Sequence, residues 1–201
     1  REMASLGAKV LHSRCVEIAK KYGVELLVCS SLNRNSGTMV REKTKMEKML
    51  ISGVAADKNV AKIRVAGLGN DPESTFRLLN LLDRNNLNID VMIQSLGKDG
   101  TKSVSFTVAK PDMLRTIDVL NDNKDSLGIK KLDYDENVAK ISVIGAGVRS
   151  HSGVAAKMFG ALANAGINTE MITTSEIRIT ALIDEAYADQ AMRAIHETFL
   201  E

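Results

Sequence analysis

The chain has 201 residues and a mass of 21.8 kDa, room for one large domain or two to three small ones. Aromatic residues make up only 3% and tryptophan is absent, so the core must be aliphatic, and the stacking surfaces that single-stranded nucleic acid prefers are excluded. Twenty-seven Lys and Arg against 25 Asp and Glu leave a net charge of +2, which gives no bulk attraction to nucleic acid or to an anionic membrane. No apolar run approaches the roughly 20 residues that span a bilayer, and residues 1–9 do not open a signal peptide. Cys15 and Cys29 are too few for a disulfide framework, and His12, His151 and His196 are scattered, so no metal site is expected. These features describe a cytoplasmic protein with reduced thiols.

In chain order, residues 4–21 carry apolar positions at helical spacing and stop at Gly23. A short apolar strand (24–30), a turn-rich loop (32–37), a possible strand at 38–40 and a charged connector (41–48) follow. One helix and two short strands cannot bury a core, so this piece reads as the tail of a larger α/β domain. Residues 49–55, MLISGVA, form an apolar strand with no partner of their own. Then come a strand (61–67), a helix (74–86), a strand (89–94), a Gly97–Gly100 turn, an alternating strand (102–108), a helix from Pro111 to about Asn123, and a short strand (129–132). A second set runs strand (140–145), helix (154–165), strand (168–174), strand (176–183) and helix (186–199).

The two sets are an internal repeat. AKIRVAG (61–67) aligns with AKISVIG (139–145), and LNIDVMIQS (87–95) with INTEMITTS (167–175), the offset slipping from 78 to 80 through a longer loop in the second copy. Each unit is strand, helix, strand, strand, helix, strand, but the second lacks its last strand. The unpaired strand upstream is expected to fill that place, because an open sheet edge invites aggregation. The expected fold is α+β: two ferredoxin-like βαββαβ domains, the first inserted in the second, after a helix-strand remnant of an α/β domain. The boundaries expected are 1–45 for the remnant and connector, 49–56 for the completing strand, 60–134 for the first repeat and 137–201 for the second.

Gly67-Leu68-Gly69 and Gly145-Ala146-Gly147 follow strands and precede helices, but the first copy has Pro72 where a dinucleotide fingerprint needs glycine. A different use of this geometry suits the residues better. Asn70 or Asp71 in the first copy, and Ser150 or Ser152 in the second, can cap a helix whose start favours a carboxylate. Asp90 and Glu170, each two residues after an asparagine (Asn88, Asn168), lie on the next strand. A carboxylate receiver near acids and amides is what a free amino acid requires. The same residues also serve as plain helix stops and solvated strand positions, and their types leave both readings open. No nucleophile, acid/base pair or phosphate loop is recognisable.

MASLGAKVLHSRCVEIAKKYGVELLVCSS (3–31) resembles the end of the kinase domain of aspartate kinase. ISGVAADKNVAKIRVAGL (51–68), NIDVMIQS (88–95), GAGVRSHSGVAAKMFGALANAGIN (145–168) and MITTSEIRI (171–179) resemble its regulatory region. The resemblance covers essentially the whole chain. It implies that the repeats are ACT domains and that the chain is the allosteric part of an enzyme converting ATP and L-aspartate to 4-phospho-L-aspartate. It also implies that ATP and Mg bind only in a catalytic domain outside this sequence, so that the chain has no cofactor or catalytic residue of its own.

The resemblance further implies an effector held between ACT domains of a homodimer. Its ligands would be Leu68, Asn70, Asp71, Glu73, Ser74 and Thr75 of the first loop, and Ile89, Asp90, Gln94 and Ser95 of the strand. Asn168, Thr169 and Glu170 of the second repeat would face the partner's first repeat. L-lysine is the usual inhibitor and L-threonine a co-inhibitor in some members; Asp90 and Glu73 suit a lysine ammonium. The competing readings are a stand-alone ACT regulator with threonine or another amino acid as effector, and a ferredoxin-like RNA-binding module. The kinase-like stretch at 3–40 opposes the first, and the missing aromatics with near-neutral charge oppose the second.

Overall fold

The computed structural model describes residues 11–32, 37–40, 51–145, 148 and 153–200. Helix α1 (Ser13–Tyr22) starts later than the helix expected over 4–21: His12 is its N-cap in extended backbone, and residues 4–10 lie outside the described residues. It ends at Gly23, whose φ of 64° is the left-handed conformation that closes a helix without a Cβ penalty. Strands β1 (Leu26–Val28) and β2 (Thr38–Val40) pair antiparallel as a small separate ribbon.

The larger sheet is built on two long antiparallel strands, β3 (Gly53–Leu68) and β6 (Lys131–Ile144). Between them in sequence lie α2 (Pro72–Arg84), β4 (Met92–Leu96), β5 (Lys102–Ala109), a 3-10 turn (Lys110–Asp112), α3 (Met113–Asp122) and the single turn α4 (Lys124–Leu127). After β6 come α5 (Val154–Asn164), β7 (Met171–Thr174), β8 (Arg178–Asp184) and α6 (Ala188–Leu200). Among the described residues the strand order is β4-β5-β3-β6-β8-β7. Residues 53–57 pair with 140–144, so the second repeat takes its fourth strand from upstream of the first. The architecture is thus the expected pair of ferredoxin-like units, the first inserted in the second.

The structure corrects the separate strands expected from the sequence. The donor strand begins at Gly53 and runs without a break into the first repeat, and the segment expected as 129–132 continues from Lys131 into the second. Each long strand crosses from one repeat to the other at a register irregularity, between Asp57 and Val60 on β3 and opposite it on β6. The repeat is therefore longer than AKI: DKNVAKI (57–63) matches DENVAKI (135–141). At the crossing Asp57 Oδ1 accepts the Asn59 N–H at 2.9 Å and Asp135 Oδ1 accepts the Asn137 N–H at 2.9 Å. These side-chain bonds satisfy amides that the irregular ladder cannot. The edge strands start later than expected, at Met92 and Met171, because residues 88–90 and 168–170 form the approach to them.

Alternation along the strands places the helices on one face. Ala61, Ile63, Val65, Val104, Phe106 and Val108 bury against Leu78 and Leu82 of α2 and Met113 and Leu120 of α3. Ala139, Ile141, Val143, Ile179, Ala181 and Ile183 do the same against Met158 and Leu162 of α5 and Ala191 and Ile195 of α6. Each fully buried Val, Ile, Leu, Phe or Met among them contributes about 1.5–3 kcal/mol through the hydrophobic effect. The open face carries a smaller cluster over the crossing, Val60, Val91, Val138, Met171 and Leu182. Among the described residues no helix is long and apolar enough to cross a membrane.

Candidate functional site

The loop after β3 is shaped by its own side chains. Asp71 caps α2: the Ser74 N–H donates to Asp71 Oδ1 at 2.8 Å and the Ser74 hydroxyl donates to Oδ2. That hydroxyl bond, with the Ser74 N–H and the nearby Arg77 guanidinium, holds the Asp71 carboxyl below its ordinary pKa. The Lys102 ammonium reaches back from β5 to the Asp71 carbonyl at 2.7 Å and ties the loop to the sheet. One residue past Ser74, the Thr75 hydroxyl donates to Gln94 Oε1 of β4 at 2.7 Å. A Cβ at Gly69 would meet Asp71 Oδ2 at 2.5 Å and Ser74 Oγ at 2.9 Å, so a larger residue there must displace the cap. Gly67 has φ 89° and packs on the Lys130 side chain, which explains the glycine pair without a phosphate.

The structure thus gathers Leu68, Asp71, Ser74, Thr75 and Gln94 at one end of the first repeat, with Asn70, Glu73 and Ser95 exposed beside them. Leu68 and Ser74 are buried beneath this surface and shape it from within. The capping serines expected in the second repeat, Ser150 and Ser152, lie outside the described residues; α5 starts after Gly153.

Ile89 and Asp90 lie elsewhere. Asp90 sits level with Thr107, donating its N–H to the Thr107 carbonyl at 3.1 Å, while Gln94 pairs with Val104. Four residues of strand separate Asp90 from Gln94, roughly 13 Å, so within one chain these positions do not form the single site the sequence reading assembled. Asn88, Ile89 and Asp90 instead line a cleft of about 320 Å³ with Asp57, Asn59, Thr107, Asp112 and Lys140. In the second repeat Asn168 and Thr169 line a cleft of about 360 Å³ with Phe159, Leu162, Ala163, Gly166 and Ile167.

The carboxylates of these two approaches are already partnered, which the sequence reading did not foresee. The Lys140 ammonium lies 2.5 Å from Asp90 Oδ2 and 3.4 Å from Asp57 Oδ2. Glu170 pairs with Lys62 of the same chain's first repeat. Each repeat's acid is therefore held by a lysine on the first strand of the other repeat. The signal was present in the recurrence of lysine in AKIRVAG and AKISVIG; only the folded sheet shows that each lysine crosses over. Lys102 was also missed, because it meets the loop 31 residues away. Among the described residues no group of three or more His, Cys, Asp or Glu is placed to hold a metal ion.

Comparison with known proteins agrees with this architecture. The family model of the ACT domain matches residues 141–199. An aspartokinase from Pseudomonas aeruginosa is 40% identical over 201 residues, covering 98% of this chain and 49% of its own length, so the chain spans about half of that relative. The regulatory subunit of aspartate kinase from Thermus thermophilus superposes with a TM-score of 0.70 at 33% identity, covering 75% of this chain and 99% of that subunit. E. coli aspartokinase III, solved with lysine and aspartate in the T-state, superposes with a TM-score of 0.76 at 25% identity, covering 100% of this chain and 44% of its own. The chain belongs to the aspartokinase family and corresponds to its ACT-bearing regulatory portion.

Proposed function

We propose that the chain is the feedback-regulatory part of an aspartate kinase, which transfers phosphate from ATP to L-aspartate, and that it binds L-lysine between ACT domains of two chains. ATP, Mg and aspartate then bind in the kinase domain, to which residues 1–45 belong as a remnant.

One observation carries the interface reading. The loop group (Asp71, Thr75, Gln94) and the strand approach (Ile89, Asp90) are about four residues apart along the strand, roughly 13 Å, so one effector contacts both best when the second comes from a partner chain. Among the described residues β4 and β7 are the two edge strands of the sheet, where such a neighbour can pair. The start of α2 offers the effector's carboxylate its dipole and the Glu73 N–H, since Pro72 has no N–H and that of Ser74 is bonded to Asp71. The cleft at Asp90 holds three carboxylates, Asp57, Asp90 and Asp112, against the single ammonium of Lys140, which favours a cationic side chain. The lysine complex of E. coli aspartokinase III supports the same effector class. The second cleft has no charged lining, which favours an uncharged amino acid such as threonine as a co-effector.

The mechanism is linkage. Lysine stabilises the arrangement of paired ACT domains that it binds better, and the kinase domain follows with a coupling of about 1–3 kcal/mol. Calorimetric titration with lysine and then threonine, beside a sizing run, tests this. Saturable lysine binding by a dimer is the expected result. Binding of threonine alone overturns the effector, and no heat from either overturns the site.

A further inference from the structure

We propose that Lys140 is an internal competitor for the lysine site: its ammonium holds Asp90 in the ligand-free chain and falls back on Asp57 when a cationic effector takes Asp90. This rests on the lysine reading above and adds to it a residue that sets the affinity of the site from the other repeat.

Three observations carry the inference. Lys140 is buried, its side chain 8% exposed, so its charge must stay paired whatever happens at the mouth of the cleft. It has two carboxylates within reach, and they differ. Asp57 is the inner one, 17% exposed, set opposite Lys140 in the β3–β6 register and anchored by its bond from the Asn59 N–H. Asp90 is the outer one, 43% exposed, on the irregular approach to β4. Releasing Asp90 therefore leaves no unpaired buried charge, because Asp57 compensates Lys140.

The equivalent pair in the second repeat lacks this reserve. Among the described residues Lys62 forms an ion pair with Glu170 and none with Asp135, which stands opposite it in the β3–β6 register, and at 24% exposure its charge passes to water, not to a second acid, when Glu170 is released. The crossed pairs are alike in topology and unlike in what they can release, and the exchangeable acid is Asp90. The retreat of Lys140 onto Asp57 acts where β3 passes from one repeat to the other. Occupancy of the first repeat's cleft is thereby felt in the second.

The test is a sign. A lysine that merely scaffolds the cleft weakens binding when removed, whereas a competitor strengthens it. Titration of L-lysine should give binding about fivefold or more tighter for Lys140→Met and about fivefold or more weaker for Asp57→Asn, whose loss leaves Lys140 fixed on Asp90. Lys58→Met removes the same charge from the neighbouring strand β3, at an exposed pair with Asp189, and should stay within about twofold of the parent chain. Circular dichroism checks that each variant is folded, with Lys140→Gln replacing Lys140→Met if the latter is not. Equal or weaker lysine binding by the folded Lys140 variant, with the parent chain binding normally, overturns the competitor and leaves the lysine site standing. Absence of lysine binding in both the parent and the Lys140 variant overturns the lysine site itself, and the competitor with it.

Discussion

Lys62 and Glu170, 108 residues apart, form an ion pair that joins the first strand of one repeat to the edge-strand approach of the other. Lys140 and Asp90 form its counterpart in the opposite direction. The two pairs flank the cluster of Val60, Val91, Val138, Met171 and Leu182, so the face of the sheet without helices is closed by a small apolar centre with charges on either side. A double-mutant cycle on Lys62→Met and Glu170→Gln should give a coupling energy of about 0.5–1 kcal/mol in urea unfolding, discounted for the partial exposure of both groups. Strict additivity would show that the pair contributes nothing to joining the repeats.

The Thr75–Gln94 hydrogen bond lies at the surface, so its removal should affect binding more than folding. Gln94→Ala should weaken lysine binding by about fivefold, the value of one hydrogen bond of about 1 kcal/mol. The melting temperature should move by less than about 2 °C. A variant that titrates like the parent chain would take β4 out of the effector site.

Asp71 links the loop to pH. Its carboxyl is held below the ordinary value of 3.8 by the Ser74 hydroxyl first and by the Ser74 N–H and Arg77 after it. A group whose pKa is lower when folded stabilises the fold at pH above its unfolded value, and that contribution is lost as pH falls through the folded value. Asp71→Asn should therefore flatten the acid limb of the stability curve below about pH 5 while leaving the neutral region nearly level, since asparagine still caps. Asp71→Ala should lower the melting temperature at neutral pH by roughly 2–4 °C. Parallel acid limbs for Asp71→Asn and the parent would refute the linkage.

The pairing of 53–57 with 140–144 makes a truncation informative. A chain beginning at residue 58 leaves the outer side of β6 unpaired along its second half and removes Val54 and Ala56 from the second core. It should elute as aggregates or larger oligomers, as exposed strand edges do. A stable monomer or dimer of unchanged melting temperature would mean that the donor strand is dispensable.

Much of the fold could be read from residue pattern. The repeat, the helix periodicities of the two repeats, the stop at Gly23 and the need for a donor strand all depend on local spacing, and the structure has each of them. The continuity of β3 and β6 was not readable. DKN and DEN look like loop residues, and their inclusion in a strand depends on Asx bonds formed at the crossing. The candidate site was half readable for the same reason. Asp71, Ser74 and Thr75 lie within one helical turn, so their cooperation is a matter of sequence, whereas the partners of Asp90 and Glu170 lie 50 and 108 residues away.

By itself the sequence determined the repeating unit, the aliphatic cores and the acids and amides placed before each edge strand, because these follow from periodicity and residue chemistry over a few turns. Only the tertiary structure decided which lysine meets which acid and which site residues share an end of the sheet. Those relations are set by the register of two long antiparallel strands, and the lysine partners of Asp90 and Glu170 are rooted in the opposite repeat.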